Sequence, residues 1–372
     1  MNNNILIISM EFPPGPGGIG NHALNLSKYL SQYFSIDVLT NADYAEGRDI
    51  IDFDLRQSYF IKRFPRFKIQ LFTYLNRFYI IYKQLKSKHY QYCIFSGRFA
   101  IWISLFINFL VKSDTKLIGI IHGSEARPTK KSHKLILERA LDILDLIISV
   151  SNFTDSLIGK NTKNRKRVII PNGININCFN MNDNKKYTNL KGNPRFLTVG
   201  SITKRKGQSN FIKAMPIVLE KFPQSHYHCI GLKIEQEKII NLIRKFNLEE
   251  NVTLHGYLKH NDLSLIYSNV DILILLSTPL EKFGVEGYGI SVLEANLLGI
   301  PAIGSLNTGI EDAIQNNRTG KLVNPNNKTE ILESIIDILE NKKEFSKNAK
   351  EWAKQHDWEI IGSKYLDALK NV

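Results

Sequence analysis

Short apolar runs alternate with helix-periodic segments along the chain, and this alternation restricts the fold more than any other feature. In the first half, the runs that predict buried strands are Asn4–Met10, Ser35–Thr40, Tyr92–Ser96, Lys116–Ile121 and Leu146–Val150. The segments that predict helices are Asn21–Phe34, Phe99–Val111 and Lys131–Leu141. Strands that alternate with helices predict an α/β fold, in which helices cover a parallel sheet.

A second series of the same kind begins at Arg195. Its predicted strands are 195–200, 226–231, 252–257, 271–276 and 301–305. Residues 177–194, before this series, are polar and rich in Asn and Lys, which predicts a linker. The sequence therefore predicts a first domain at 1–176, a second at 195–355 and a closing helical segment at 356–372.

The composition points away from several classes of protein. The formal net charge is +14, but the sequence contains no nucleic-acid-binding module, so we expect no nucleic-acid partner. Three scattered cysteines predict neither a disulfide framework nor a zinc site. The first residues lack a charged signal region, and the longest apolar run, Phe99–Val111, is too short to span a membrane. We therefore expect a cytoplasmic protein.

The positive charge is concentrated in residues 56–90. Lys, Arg and aromatic side chains interleave there at near-helical spacing, which is typical of an amphipathic segment at a membrane surface. A core-facing helix with a solvated basic face has the same pattern. The first interpretation predicts peripheral contact with the anionic inner face of the cytoplasmic membrane.

Residues 281–296, EKFGVEGYGISVLEAN, join a predicted strand to a predicted helix. Glu286 falls in the loop, and Glu294 falls about one turn inside the helix. Glycines around Glu286 let the backbone approach a ligand, and the helix N-terminus favours phosphate. The stretch can therefore seat a diphosphate and offer two carboxylates to hydroxyl groups. A glycine-rich turn with two solvated glutamates is the structural alternative.

The segment EGYGISVLEA, followed by GIPAIG at Gly299–Gly304, resembles the Glu-x7-Glu signature of retaining glycosyltransferases of the GT-B fold, family 4. The resemblance runs from the first strand to the last helix. It implies two Rossmann-like domains facing a central cleft, with the C-terminal helix crossing back to the first domain. It also implies that Glu294 binds the donor ribose and Glu286 the transferred sugar. The other donor-binding positions that it implies in this stretch are Gly284, Gly287, Tyr288, Gly289, Ile290 and Val292.

The loop EFPPGPGGIG after the first strand is also rich in glycine. It fits the dinucleotide pattern G-x-G-x-x-G only weakly, because the second strand ends in Thr40–Asn41 without the expected ribose-binding acid. It is more similar to the family's P-x-x-G-G-[IV]-G loop. That resemblance implies that Gly17, Gly18 and Gly20 border the donor phosphate, with Gly18 also on the acceptor side; a plain strand–helix turn is the alternative.

His122 ends an apolar strand and is followed by Gly123, with Glu125 close by. A lone histidine is usually structural. The family often has a histidine here near the reacting sugar, so the resemblance implies that His122 contacts the donor hexose or the acceptor. It places Glu125 on the acceptor side.

Three cations, Lys204–Lys206, follow the first strand of the second series. Either they form a solvated turn or an anion binds there. The segment resembles the family's G-R-x-x-x-x-K-G, in which Arg and Lys contact the donor diphosphate. Lys206 matches, but Ser201 stands where the Arg is expected, and we expect Arg205 to supply that charge. Further on, Thr308–Ile314 resembles the family's G-G-[IV]-x-E segment, with Asp312 in place of the Glu.

Asp52-Phe53-Asp54 spells D-x-D, the metal motif of the other large glycosyltransferase fold. The motif is short and frequent by chance, so we expect no metal site here. We expect no other cofactor, because the nucleotide sugar is a substrate.

The resemblance implies a retaining, metal-independent transferase that moves a hexose from a UDP- or GDP-sugar to a glycan or lipid-linked saccharide. Cell-surface polysaccharide synthesis (capsule, O-antigen or exopolysaccharide) fits the basic first domain. Two alternatives keep the fold: a nucleotide-sugar 2-epimerase and a non-catalytic nucleotide-sugar-binding partner. The glycine-rich acceptor-side loop and the two glutamates argue against an epimerase. Ser201 is the feature that favours a non-catalytic partner.

Overall fold

The structure is a computed structural model that describes residues 3–42, 48–128, 130–159, 162, 166–177, 190–258, 260–278 and 284–372. Most of the predicted linker, residues 178–189, and residues 281–283 of the glutamate stretch lie outside the described residues. The chain forms two compact units. Unit 1 comprises Met1–Gly173 and Trp358–Val372, and unit 2 comprises Ile174–Asp357.

The elements are numbered in chain order. Those that begin before residue 170 are β1 (Asn4–Ser9), α1 (Gly18–Leu30), β2 (Ser35–Asn41), α2 (Arg48–Leu55), β3 (Phe60–Phe64), α3 (Gln70–Ser87), β4 (Tyr92–Ser96), α4 (Arg98–Ile107), β5 (Lys116–Ile121), α5 (Lys131–Asp142), β6 (Leu146–Ser149), α6 (Asn152–Gly159) and β7 (Arg167–Ile169). The later ones are β8 (Arg195–Val199), α7 (Gln208–Lys221), β9 (His226–Ile230), α8 (Gln236–Lys245), β10 (Val252–Gly256), α9 (His260–Tyr267), β11 (Ile272–Leu275), α10 (Ile290–Leu297), β12 (Ala302–Ser305), β13 (Gly320–Val323), α11 (Lys328–Glu340), α12 (Lys342–Lys354) and α13 (Trp358–Lys370).

Unit 1 contains a parallel sheet of seven strands in the order β3-β2-β1-β4-β5-β6-β7. In the interior strand β1, Ile7 is in register with Val38 on one side and Ile94 on the other. Residues 5–8 are fully buried, as expected for a strand covered on both faces. The strand order reverses between β1 and β4, and loops at such a switch point are the usual place for a ligand.

The last helix, α13, belongs to unit 1 and packs on α1. The contact is close, because a Cβ atom on Gly362 would lie 2.3 Å from the ring of Tyr29. The C-terminal helix therefore returns to the first sheet's unit, as the family resemblance implies.

Unit 2 contains a parallel sheet of six strands in the order β10-β9-β8-β11-β12-β13. Its core joins α7, α8 and α11 to the sheet through buried side chains such as Phe211, Ile239 and Ile335. The strand order reverses between β8 and β11. Both units thus have the α/β architecture that the alternating pattern predicts.

The basic region 56–90 departs from the sequence prediction. Its first part is strand β3, at the edge of the sheet beside β2, and only residues 70–87 form a helix. The near-helical spacing was therefore misleading for residues 60–64. Phe64 is buried while Phe60 is exposed at the strand's other end, so β3 lacks the simple apolar alternation that would have revealed it.

Three neighbouring histidines in unit 2 are expected to make its stability sensitive to acid. His228 lies 3.0 Å from His255 (Nδ1···Nε2) and donates from Nε2 to the Lys191 carbonyl, also at 3.0 Å, and the rings of His226 and His228 are 4.6 Å apart. Burial lowers the pKa of His228 to about 4, and burial together with the Lys191 charge lowers the pKa of His226 to about 4.

Because the folded pKa values lie below that of an unfolded histidine, the unfolded chain binds more protons below about pH 6.5. The contribution of these histidines to the free energy of unfolding should be fully present above that pH. It should fall toward pH 4 by about 1.4 kcal/mol per pH unit for each histidine kept neutral. Denaturant unfolding at a series of pH values measures this slope. His228→Gln should reduce it, and an unchanged slope in that variant would contradict the assignment.

Candidate active site

Two cations and one carboxylate meet at the carboxyl edge of the unit 2 sheet. Arg205 Nη1 lies 2.5 Å and Lys206 Nζ 2.9 Å from the same oxygen of Glu286, Oε2. Arg205 and Lys206 follow β8, and Glu286 follows β11, so the cluster occupies the switch point of the strand order. Of the predicted residues, the structure brings these three into direct contact.

Glu286 is 8% exposed, which by itself would raise the pKa of its carboxyl group. The charges of Lys206 and Arg205 outweigh this effect and hold the pKa below its usual range. Glu286 is therefore a carboxylate at neutral pH. Two cations against one carboxylate leave the cluster with a net positive charge, which suits a further anion.

Main-chain contacts fix the segment that carries the cations. Lys204–Lys206 form a 3-10 turn, and the Arg205 carbonyl accepts hydrogen bonds from Ser277 Oγ at 2.6 Å and from Thr278 N–H at 3.2 Å. Gly207 follows in the left-handed region, with φ 79°. A Cβ atom at Gly207 would lie 1.8 Å from the Leu276 carbonyl oxygen, so glycine alone permits this approach of the turn to β11.

Two buried amides that the sequence analysis missed support the same turn. Gln208 Nε2 donates to the carbonyl oxygen of Ser201 at 3.2 Å. Asn210 Nδ2 donates to the Leu276 carbonyl oxygen and to Thr278 Oγ1, both at 2.9 Å. Polar residues directly after the predicted glycine turn, on the buried side of α7, were the available signal. Gln208 thus holds the main chain at Ser201, and Asn210 ties α7 to the segment after β11.

The predicted glycine-rich stretch lies against the segment after β12. The N–H of Gly309 donates to the Glu286 carbonyl oxygen at 2.9 Å. A Cβ atom at Gly309 would lie 2.0 Å from the Gly287 carbonyl oxygen, and Tyr288 Oη donates to the Asp312 carbonyl oxygen at 3.4 Å. The segments that were predicted to border the donor are therefore neighbours.

The remaining residues of the stretch differ in what they can offer a ligand. Glu294 is half-buried on α10 and accepts a hydrogen bond from Tyr267 Oη at 3.0 Å. Gly289, with φ 96°, precedes α10 and Ile290 begins it. Val292 is fully buried and its N–H donates to the Gly289 carbonyl oxygen at 2.9 Å. The side chain of Val292 therefore belongs to the core, and its role in donor binding stays a prediction.

The other predicted residues lie in unit 1, where His122 follows β5. Ser96 is at the end of the neighbouring strand β4, and its hydroxyl oxygen lies 2.9 Å from His122 Nε2. Burial lowers the pKa of His122 to about 3, so the ring is neutral at physiological pH. Glu125 is buried, which raises the pKa of its carboxyl group, and it accepts the His122 main-chain N–H at 2.6 Å. Glu125 thus positions the His122 loop, and its place on the acceptor side stays a prediction.

The first glycine-rich loop follows β1 and is equally tight. A Cβ atom on Gly20 would lie 2.9 Å from the Phe12 main-chain nitrogen, and one on Gly17 would lie 2.3 Å from Glu11 Oε2. Gly18 is the first residue of α1, so its N–H is among those that a helix leaves free at its start. The geometry agrees with a loop that brings main chain close to a ligand.

The D-x-D motif has a structural explanation. Asp54 lies in α2 and accepts two hydrogen bonds from Arg63, at 2.9 Å from Nε and 2.8 Å from Nη2. Arg63 also donates to the Pro13 carbonyl oxygen. This ion pair ties α2 to β3, and in the described ranges no group of three or more His, Cys, Asp or Glu side chains is arranged to hold a metal ion.

Known protein families match nearly all of the chain. Glycosyltransferase Family 4 matches residues 16–177, and Glycosyl transferases group 1 matches residues 180–356. The chain belongs to the family 4, group 1 glycosyltransferases. Its two units carry the parallel sheets of the GT-B fold, and the predicted family membership is confirmed.

Relatives of this glycosyltransferase act in glycolipid and polysaccharide synthesis. It is 20% identical over 395 residues to a GDP-mannose-dependent α-(1-6)-phosphatidylinositol monomannoside mannosyltransferase of Mycobacterium tuberculosis, covering 99% of the chain and 98% of the relative. It is 25% identical over 224 residues to the amylovoran biosynthesis glycosyltransferase AmsK of Erwinia amylovora, covering 59% of the chain and 54% of AmsK. HepE of Anabaena, solved with UDP-glucose, shares the fold with a TM-score of 0.80 and 17% identity, covering 99% of the chain and 100% of HepE.

Proposed function

We propose that this glycosyltransferase is a retaining, metal-independent hexosyltransferase that uses a UDP- or GDP-linked sugar. The observation that carries the proposal is the contact of Arg205 and Lys206 with Glu286 at the switch point of the unit 2 sheet. The cations lie where a ligand of a parallel sheet binds, and they share their site with a carboxylate that suits sugar hydroxyls. The start of α10 follows within the same stretch and adds main-chain N–H groups for phosphate.

In the proposed reaction, an acceptor hydroxyl oxygen bonds to the anomeric carbon while the bond from that carbon to the diphosphate oxygen breaks. The electron pair goes to the diphosphate, and the hydroxyl proton ends on the diphosphate or in water. Arg205 and Lys206 stabilise the charge that develops on the leaving oxygen. Glu286 orients the transferred hexose, and Glu294 accepts hydrogen bonds from the ribose. On the acceptor side, the glycine-rich loop and His122 orient the incoming hydroxyl.

The relatives support the classes of donor and acceptor. The mycobacterial relative uses GDP-mannose and a phosphatidylinositol monomannoside, and HepE was solved with UDP-glucose. AmsK takes part in amylovoran biosynthesis. We propose by analogy a nucleotide-hexose donor, a glycan or lipid-linked saccharide acceptor, and a role in cell-surface polysaccharide synthesis.

The proposal is tested by measuring UDP or GDP release from a panel of nucleotide hexoses, with and without lipid-linked saccharide extracts, in buffer containing EDTA. We expect one donor to give acceptor-dependent release that EDTA does not reduce, because Arg205 and Lys206 take the place of a divalent ion. The one-bond carbon–proton coupling constant of the anomeric carbon in the product should show that its configuration is retained. Loss of activity with EDTA that manganese or magnesium restores would overturn metal independence. Donor isomerisation without acceptor would favour an epimerase, and donor binding without turnover would favour a non-catalytic partner.

We also propose that unit 1 contacts an anionic membrane. In the described part of the chain, no helix has the length and apolar content to cross a bilayer. Most of the exposed large hydrophobic side chains that the structure describes nevertheless lie between residues 51 and 82. Helix α3 presents several of them on the face opposite its buried Thr73, Ile80 and Ile81. This exposed face of α3 consists of Leu71, Phe72, Leu75, Tyr79 and Tyr82.

The basic residues near this face were only partly predicted. Arg66, Lys68, Lys83 and Lys86 are exposed. The side chain of Arg63 is 8% exposed and paired with Asp54, so it is not available to a membrane. Exposed cations beside an apolar helix face fit the anionic surface where a lipid-linked acceptor is confined. We propose that this surface is the inner face of the cytoplasmic membrane.

Replacement of Arg66, Lys68 and Lys83 by Gln is expected to weaken binding to anionic vesicles about a hundredfold, since each cation contributes on the order of 1 kcal/mol. Co-sedimentation at low and high salt measures the effect, and salt should weaken wild-type binding. The matched control replaces Lys343, Lys347 and Lys354, exposed on α12, by Gln. Equal binding by both triple variants, or no binding by the wild type, would refute membrane contact through α3.

A further inference from the structure

His22 is a buried histidine on α1 that the proposed reaction does not use. Its ring lies edge-on to His122, with 4.9 Å between the ring centroids and 77° between the ring planes. It also contacts Trp358 at 5.2 Å and Tyr365 at 5.5 Å, both in α13. Within unit 1, the His22 ring therefore lies against the loop that carries His122 and against the last helix of the chain.

One hydrogen bond holds the His22 ring. Its Nε2 atom lies 2.9 Å from Tyr365 Oη, a residue 343 positions away in sequence. Its Nδ1 atom has no hydrogen-bond partner among the residues that the structure describes. Burial lowers the pKa of His22 well below its ordinary value, and His122 lowers it further, so the ring is neutral. A neutral ring has one acceptor nitrogen, and the Tyr365 hydroxyl can donate to it.

The position of Tyr365 is itself fixed. One turn earlier in α13, Gly362 packs directly on the ring of Tyr29 in α1. This close contact sets the separation of the two helices and, with it, the distance from Tyr365 to His22. Rotation of the His22 ring would break its hydrogen bond in a buried place where water cannot replace the donor.

The contacts around His122 leave few degrees of freedom. The hydroxyl group of Ser96 is hydrogen-bonded to Nε2 of His122, so Nδ1 is the ring nitrogen that remains for a ligand. The main-chain N–H of His122 donates to Glu125, and its ring packs nearly perpendicular to the ring of His22. Without His22 in place, one side of the ring would lose its packing partner.

We infer that His22 and Tyr365 are positioning residues that hold the His122 ring for the reacting sugar, so that the last helix of the chain sets the geometry of a residue after β5. The inference rests on the proposed role of His122. It assigns no direct contact with substrate to His22 or Tyr365. The series Tyr365, His22, His122 and Ser96 lies entirely within unit 1.

The test compares Tyr365→Phe with Tyr29→Phe. Both remove one hydroxyl group from the contact of α1 with α13, but only Tyr365 bonds to His22. We expect Tyr365→Phe to lower kcat about tenfold with an unchanged donor KM, as for the loss of one buried hydrogen bond. His22→Phe should do the same, and Tyr29→Phe should leave kcat unchanged. Thermal unfolding of each variant separates this effect from loss of fold.

Nitrogen NMR of histidine-labelled protein gives a readout that does not require turnover. Tyr365→Phe should shift the ring nitrogen resonances of His22 and His122, and Tyr29→Phe should leave them in place. If His122 resonances move but the wild type transfers no sugar, the proposed function fails and the positioning role stands. The inference is overturned if both variants fold and keep the wild-type kcat, and if the His122 resonances of Tyr365→Phe also match those of the wild type.

Discussion

Replacement of Glu286 by Gln is expected to lower turnover about a hundredfold, because the transferred hexose loses a charged hydrogen-bond acceptor in a site where charged hydrogen bonds are worth about 1.5–3 kcal/mol. The same change should not weaken the binding of UDP or GDP. Arg205 and Lys206 both contact Glu286 Oε2, so this carboxylate and a diphosphate attract the same two cations. Without the carboxylate charge, nucleoside diphosphate should bind about three- to tenfold more tightly.

Nucleotide release gives kcat for this variant, and titration calorimetry with UDP or GDP gives the affinity. Glu294→Gln is the informative comparison, since a ribose-binding carboxylate should show the opposite pattern: nucleotide affinity about tenfold weaker, with a smaller effect on kcat. Glu237→Gln, at an exposed position of α8, controls for loss of charge. If Glu286→Gln keeps the wild-type turnover, or if it weakens UDP or GDP binding as Glu294→Gln is expected to do, then Glu286 has been misassigned.

The sheets could be predicted from sequence because their strands are continuous apolar runs. Residues 5–8 and 272–275 are buried on both faces, and such runs between helical segments have few alternatives to parallel strands. The family resemblance places Glu286 and Lys206 at the same donor, but their direct contact depends on the adjacency of β8 and β11, which only the folded sheet shows. Loops at the carboxyl ends of adjacent parallel strands meet at one edge of the sheet.

The features that the sequence did not reveal share a physical cause, which is that they depend on contacts that form only in the folded chain. Arg63 has the same charge as its basic neighbours, and only the folded chain shows that Asp54 pairs with it. Val292 falls inside the glutamate stretch, yet in the folded chain its side chain is fully buried on α10. His22 meets Tyr365 across 343 residues, a contact for which neither residue's local sequence gives a signal.

The departure at Ser201 leads to the second large effect. Arg205→Ala is expected to lower kcat/KM about tenfold to a hundredfold, because the leaving diphosphate loses a positioned guanidinium. Lys204→Ala is the matched control, since it removes one positive charge from the adjacent residue of the same turn. Lys204 is exposed, and its described hydrogen bond is from its main-chain N–H to Glu235, so its replacement should leave kcat/KM close to wild type.

If Arg205 replaces the arginine that the family has at position 201, moving the charge back should restore activity. The double variant Ser201→Arg, Arg205→Ala should recover at least about fivefold of the lost kcat/KM, because an arginine from position 201 would again face the diphosphate. The recovery should appear in kcat/KM and in the affinity for UDP or GDP alike, as both depend on contact with the diphosphate. If Arg205 served only as a counter-ion that holds the Glu286 carboxylate in place, an arginine at position 201 would restore neither quantity. Equal losses in Arg205→Ala and Lys204→Ala would show instead that the turn contributes only its general positive charge.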